Sequence, residues 1–358
     1  MHKAAFAIPG ELGTHTGGYI YERRLLETLN EIGLPTLHVP LITSWPHPTA
    51  EAESELARKL SALPEGMPLI LDGLVFGAMD TALLAHQSRP VIAMLHHPLG
   101  MEAGLPPERA QALIAREKAN LRHAAHVVVP SPHTRDILIA EFDVAPDRVS
   151  IALPGFDRPF GQSERPKAQP PLILSVGIIC ARKGHDVLLE ALSQVVHLDW
   201  QTAIVGLTHD ETVRDALLSQ RARLGLEERV RFTGDIPSAD LDRLYREATF
   251  FALATRYEGY GLVFSEAQLY GLPILACAVG AVPRTVKQGA ILTPPDDVVA
   301  FAKGLERLLL DIPLRDRFAC ESAAQAETLP QWKDTAQIMR EVVLRCGAAR
   351  AGQGPDQL

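Results

Sequence analysis

The chain has 358 residues, 47% of them hydrophobic and 22% charged, with both signs interspersed and a formal net charge of −8. That length exceeds one hydrophobic core and suits two domains, in the composition range of a soluble globular enzyme. The acidic balance argues against a broad nucleic-acid surface and against tight docking on anionic lipid, leaving room only for a local basic patch. Four scattered cysteines, Cys180, Cys277, Cys320 and Cys346, lack metal-ligand spacing and suit a reducing compartment. The first ten residues carry too short an apolar run for a secretion signal, and no stretch reaches bilayer-spanning length, so a cytoplasmic location is expected.

In chain order, Ala4–Ile8 reads as a strand, followed by a loop holding Gly10, Gly13, Gly17 and Gly18. Tyr19–Ile32 reads as a helix with Leu25, Leu26, Leu29 and Ile32 on one face. Strands are expected at Thr36–Ile42, Leu69–Leu71, Val91–Leu95, Val127–Val129 and Val149–Ala152, with helices at Pro107–Arg122 and His133–Glu141. Gly161–Pro170, polar and with two prolines, reads as a linker. The pattern then restarts with strands at Leu172–Val176, Ala203–Val205, Val230–Phe232, Thr249–Leu253 and Ile274–Cys277. Helices are expected at Asp186–Val196, Asp240–Glu247, Val298–Leu310, Leu314–Glu327 and Gln331–Leu344, before a small polar tail, Gly347–Leu358. Alternation over this length implies an α/β fold of two Rossmann-like, doubly wound domains facing a cleft, with ligands outside the carboxyl ends of the strands. The expected division is 1–165, 166–330 and a closing helix and tail over 331–358.

The motifs fall at those strand ends. Gly17-Gly18 lets backbone approach a phosphate or sugar closely, or is simply a flexible turn. In Met94-Leu95-His96-His97-Pro98 one imidazole can hydrogen-bond a sugar hydroxyl, and metal is not expected because no third ligand lies nearby in sequence. Leu99–Pro107 reads as a mobile acceptor loop, its Leu99, Met101 and Leu105 either exposed to a lipid-linked acceptor or packed on the next helix. Arg182 and Lys183 follow the strand ending at Gly177, where two cations can clamp a diphosphate or form a solvated basic loop. Asp240-Leu241-Asp242 opens a helix and reads as structural, as do His123 and His126.

Glu258-Gly259-Tyr260-Gly261-Leu262-Val263-Phe264-Ser265-Glu266 carries the most information. It reads as a Gly-rich turn between a strand and a short helix that stops at Gly271. Glu258 then lies on the turn and Glu266 in the helix, with the amides of Tyr260, Gly261 and Leu262 forming an anion-favouring helix start. Two carboxylates beside such a helix end suit a ligand with both hydroxyls and phosphate, as a sugar nucleotide has.

These segments together resemble the retaining, metal-independent family 4 glycosyltransferases with the GT-B fold. The resemblance runs from the first strand to about Leu344 and is strongest over Pro171–Pro295. There Val230-Arg231-Phe232-Thr233-Gly234-Asp235-Ile236, Glu258-Gly259-Tyr260-Gly261-Leu262, Gly271-Leu272-Pro273 and Gly280-Ala281-Val282-Pro283 follow in order. It implies that Glu258 contacts the donor sugar hydroxyls and Glu266 the ribose, while backbone at Gly259–Leu262 approaches the sugar. It further implies Arg182 and Lys183 on the diphosphate, assisted by Gly18, with His96 reaching the sugar and backbone near Ile236 meeting the base. The last helix would cross back to the N-terminal domain. Two positions depart from the family: Ile178 stands where Arg is common, and Arg284 where Glu is common.

The leading expectation is therefore a hexosyltransferase using a nucleoside-diphosphate sugar as co-substrate, with no other cofactor. Its acceptor would be a glycolipid, polysaccharide or lipopolysaccharide intermediate bound mainly by the N-terminal domain, with retention at the anomeric carbon. Peripheral contact with the inner face of a membrane stays open, and a monomer or weak dimer is expected. Ile178 and Arg284 motivate the alternative, a catalytically silent sugar-nucleotide-binding protein. A same-fold epimerase, or a nicotinamide-dependent dehydrogenase, ranks lower; for the latter, no Gly-x-Gly-x-x-Gly turn follows the first strand of either half.

Overall fold

The computed structural model describes residues 2–102, 104–158 and 166–351. The chain forms two compact units, one of residues 1–156 with 330–358 and one of residues 157–329.

The first unit holds a six-stranded sheet of β1 (Ala4–Pro9), β2 (Thr36–Leu41), β3 (Leu69–Asp72), β4 (Val91–Met94), β5 (His126–Val129) and β6 (Val149–Ile151). All pairings are parallel, in the order β2-β1-β3-β4-β5-β6. The near-continuous apolar runs are explained by burial on both faces. Phe6, Ile8, Ile70, Ile92, Met94 and Val128 pack into one core. Their alternating neighbours, among them Ala7, Leu69, Leu71, Ala93 and Val127, pack into another.

The second unit repeats the plan with β7 (Leu172–Val176), β8 (Gln201–Val205), β9 (Val230–Gly234), β10 (Phe250–Leu253), β11 (Ile274–Cys277) and β12 (Ala290–Thr293). Its parallel order is β12-β11-β10-β7-β8-β9, the doubly wound arrangement in which direction of travel reverses between β7 and β10. In the first sheet the reversal falls between β1 and β3. The carboxyl ends flanking such a reversal leave a crevice where ligands bind in open α/β sheets.

Several expectations are revised. β12 and the helices Ala50–Ser61, Gly73–Ala78, Thr81–Ala85 and Glu211–Arg223 are additional to those read from sequence. The last helix runs through Trp332–Ala351, so residues 347–351 are helical, and 352–358 lie outside the described residues, as does 161–165 of the expected linker. This helix belongs to the first unit: its Met339, Val342 and Val343 share a core with Leu25 and Leu29 of the helix Gly17–Glu31. Its entry is tight, since a side chain on Gly155 would place Cβ 2.2 Å from the Trp332 amide nitrogen. The Phe156 amide donates to Pro330 O at 2.9 Å.

Of the two readings of Leu99, packing on the next helix is the one the structure adopts. Leu99 is 6% exposed, in a single helical turn, Leu99–Met101, packed on the helix Pro107–Leu121. Its amide donates to the buried Glu117 carboxylate at 3.1 Å, which explains why the segment turns inward. No helix among the described residues is long and apolar enough to cross a membrane.

Candidate functional site

The second unit's site is built from the loops after β7 and β10, on either side of the strand-order reversal. After β7 the chain makes one helical turn, Ala181–Lys183, closed by Gly184 at φ +64°. Only glycine fits there, because a Cβ would lie 1.9 Å from Ala254 O at the end of β10. That close approach carries Lys183 to the β10 loop. Its Nζ donates to Glu258 Oε1 at 2.6 Å, and Thr255 Oγ1 donates to the same oxygen at 3.1 Å. Arg182 Nη1 lies 3.8 Å from Glu258 Oε2 and donates to Tyr257 O at 3.1 Å. Lys183 and Glu258 are both buried, at 8% and 5% exposure, so the pair is far from a solvated surface contact. The loop after β11 fixes Glu258 from behind: the Ala281 amide donates to Glu258 O at 2.9 Å, and Gly280 leaves no room for a side chain there.

Glycine also governs the helix start. Gly261, at φ +88°, precedes the helix Leu262–Leu269, and no side chain caps that end. Glu266 points inward, its Oε2 accepting from Tyr245 Oη at 2.8 Å. Burial raises its carboxyl above the ordinary range, while the Tyr245 hydrogen bond and the charge of Lys183 pull the other way. Tyr245 stacks on Tyr270 with centroids 4.9 Å apart, and Ile236 packs partly buried on the same core as Tyr245 and Leu244. Tyr260 Oη bonds to Ser265 Oγ at 3.2 Å, and Thr285 Oγ1 donates to Tyr260 O at 2.7 Å, so both sides of the Gly259–Leu262 turn are held. Arg256 anchors the loop by pairing with Asp186 at 2.7 Å and Asp296 at 2.8 Å.

Arg182, Lys183, Glu258 and Glu266 are thus brought together at one crevice. Sequence reading missed Thr255, Arg256 and Tyr245. Thr255 and Arg256 lie between β10 and Glu258, and their place at a strand's carboxyl end was signal enough to find them. Tyr245 belongs to Leu241…Leu244-Tyr245…Ala248, one of the segments that carry the family resemblance, but nothing local in the helix Ser238–Glu247 marked it as the partner of Glu266.

The remaining expected residues lie in the first unit. Gly17 and Gly18 open the helix Gly17–Glu31, and a Cβ on Gly18 would sit 3.6 Å from the His96 ring, an ordinary contact that sets the glycine beside the imidazole. Tyr21 meets the same ring edge-on at 5.2 Å, and Thr134 Oγ1 donates to His96 O at 3.1 Å. The sequence offered His96 no third metal-type donor. Folding supplies two, because Glu22 follows β1 and Asp72 ends β3, next to β4 and the His96 loop. The three donor atoms lie within 4.8 Å of one another. Burial raises Glu22 to about 7 and Asp72 well above the usual carboxylate range, and lowers His96, partly offset by Asp72.

A doubly wound unit with two cations, a buried carboxylate and an uncapped helix start at its strand-order reversal offers the donors and acceptors that a phosphorylated, hydroxyl-bearing ligand would need. Comparison with known proteins makes the class specific. Residues 158–325 match the family model for glycosyl transferases group 1, and residues 72–158 that for glycosyltransferase family 4. The chain belongs to the family 4 glycosyltransferases, with the GT-B fold.

D-inositol 3-phosphate glycosyltransferase 1 of Catenulispora acidiphila is 32% identical over 65% of this chain and 62% of its own length. The Frankia alni D-inositol 3-phosphate glycosyltransferase is 30% identical over 63% and 60%. Mannosylfructose-phosphate synthase of Agrobacterium fabrum is 26% identical over 64% and 55%. The chain thus spans about three-fifths of the length of the curated relatives it matches. Among solved structures, sucrose-phosphate synthase from Thermosynechococcus elongatus aligns with TM-score 0.80 at 20% identity, covering 97% of this chain and 100% of that one. Anabaena HepE in complex with UDP and glucose aligns with TM-score 0.75 at 19% identity, covering 96% and 100%.

Proposed function

We propose that the protein transfers a hexose from a nucleoside-diphosphate sugar to a hydroxyl acceptor, with retention at the anomeric carbon. The observation that carries this reading is the buried Lys183–Glu258 pair at the second unit's strand-order reversal, with Arg182 beside it. The barrier lies in breaking the bond from anomeric carbon to phosphate oxygen, as positive charge grows on the sugar and negative charge on the diphosphate. Lys183, Arg182 and the amides opening the helix at Leu262 would stabilise that leaving charge more in the transition state than in the bound donor. Removing one such donor costs roughly 3 kcal/mol, about a hundredfold in rate.

In this reading Glu258 and Glu266 are hydroxyl acceptors for the donor's sugar and ribose. The amide stretch Gly259–Leu262 approaches the sugar, and backbone near Ile236 meets the base. No nucleophile is assigned to Glu258; a same-face route, in which the leaving phosphate takes the acceptor's proton, fits a carboxylate already committed to Lys183 and Thr255. His96 and Gly18 enter by family resemblance as contacts to the sugar and diphosphate. The names of the inositol 3-phosphate and mannosylfructose-phosphate relatives make a small phosphorylated polyol or sugar the first acceptor class to try, ahead of glycolipid and glycan intermediates. Because Anabaena HepE was solved with UDP-glucose, that donor leads the panel.

The test is a panel of nucleotide sugars read by thermal shift, followed by transfer assays with the stabilising donor. One donor should raise the melting temperature with concentration, and Glu258→Ala or Lys183→Ala should abolish turnover in a folded protein. Near-normal turnover in either variant would overturn the assignment. Donor binding without hydrolysis or transfer across the acceptor panel would favour the silent-binder alternative.

A further inference from the structure

The cluster around His96 has a feature that glycosyl transfer does not use. Glu22 and Asp72 are buried at 2% and 3% exposure, on either side of the strand-order reversal of the first sheet. Two desolvated carboxylates in contact require a proton or a cation between them. A proton shared between Glu22 and Asp72 relieves their repulsion but leaves two buried atoms unserved. Glu22 Oε1 and His96 Nε2 have no hydrogen-bond partner among the described residues, yet they face each other at 3.6 Å.

That spacing exceeds a hydrogen bond and fits two ligands of one ion. Zinc bonds of roughly 2.0–2.2 Å to nitrogen and oxygen put tetrahedral ligand pairs about 3.4 Å apart. Asp72 is set for the same role: its Oδ1 accepts the Leu74 amide at 2.9 Å, which fixes the carboxylate and leaves the second oxygen for another partner. The rest of the surroundings holds the donors in place. Tyr21 packs edge-on against the His96 ring, and the Thr134 hydroxyl donates to His96 O at 3.1 Å.

We propose that Glu22, Asp72 and His96 form a binding site for one divalent cation of the zinc type, supplied by two carboxylate oxygens and one imidazole nitrogen. One nitrogen and two oxygens suit zinc better than magnesium or calcium, which take oxygen alone, and a fourth position stays open to water. The site is built wholly from residues of the first unit and does not rest on the transfer reaction proposed above. A bound cation occupies the His96 nitrogen, so zinc is expected to oppose any reaction that needs that imidazole.

The decisive experiment uses crystals of the full chain soaked in zinc chloride, with anomalous difference maps recorded on either side of the zinc edge. A zinc peak within bonding distance of Glu22, Asp72 and His96 is expected; zinc bound only elsewhere, or none at this cluster, overturns the proposal. In solution, equilibrium dialysis of the full chain against zinc chloride should show one high-affinity equivalent. It should weaken at least about tenfold in Glu22→Gln and Asp72→Asn, and persist in Cys320→Ser and His97→Gln, which remove an exposed thiol and a part-buried imidazole outside the cluster. Equal affinity in the wild type and both carboxamide variants would also reject it. The crystal measurement decides the matter if either variant fails to fold.

Discussion

Replacing Lys183 with methionine tests the central contact most directly, because it keeps the stem and removes the charge. Lys183 and Glu258 are 2.6 Å apart with side chains 10% and 7% exposed, so this is a desolvated pair. Removing one partner of a buried pair typically costs 3–5 kcal/mol, since the other charge is stranded. Here Thr255 Oγ1 still donates to Glu258 Oε1, and Arg182 lies 3.8 Å from Oε2, which places the loss at the lower end, about 3 kcal/mol. The second unit spans residues 157–329, a size at which each kcal/mol moves the melting temperature by roughly 2–4 °C, giving a fall of about 6–12 °C in the absence of donor. Glu258→Gln should cost a similar amount. The double variant should recover much of the loss, because neither charge is then stranded, and a thermal-unfolding cycle reads that coupling. A Lys183→Met loss below about 1 kcal/mol, or strict additivity in the double variant, would refute the desolvation argument.

Two further outcomes concern the first unit. Gly155→Ala drives a Cβ into the Trp332 backbone at 2.2 Å, so the closing helix must shift. A loss near 3 kcal/mol, with altered tryptophan fluorescence, is expected, and wild-type stability would contradict the tight entry. Glu117 is fully buried, and its carboxyl is pushed up to about 8 by that burial, against the pull of the Leu99 amide. The folded chain therefore keeps a proton that the unfolded chain releases near pH 4.5, and stability falls as pH rises through that window towards 8. Glu22, raised to about 7, adds to the same slope at lower pH. Glu117→Gln should flatten urea midpoints between pH 7 and 8.5; an unchanged slope there would count against burial as the cause.

Most of the eleven strands read from sequence are buried on both faces, which writes them as apolar runs such as Phe250–Leu253. β12 escaped because it is a half-covered edge, with Leu292 38% exposed. The helix Ala50–Ser61 escaped because its buried face consists only of Ala52, Leu56 and Leu60 among charged neighbours. The Lys183–Glu258 site could be anticipated since each residue follows its own strand end, where ligands gather. The Glu22–Asp72–His96 cluster could not. Its members come from three separate segments that meet only once β3 has settled between β1 and β4, and strand order is a long-range fact that local sequence does not record.

The Phe156–Pro330 junction has a consequence for how the polypeptide matures. The apolar face of the first sheet, with Ile8, Ile70, Ile92 and Val128, shares its core with residues from the extreme end of the chain, Met339, Val342 and Val343. During synthesis that face emerges early. Its lid arrives only after the whole of residues 157–329 has left the ribosome, which at 5–20 residues per second is a wait of roughly 10–35 s. Until the helix Trp332–Ala351 docks, that face of residues 1–156 stays a partly uncovered apolar surface on the nascent chain.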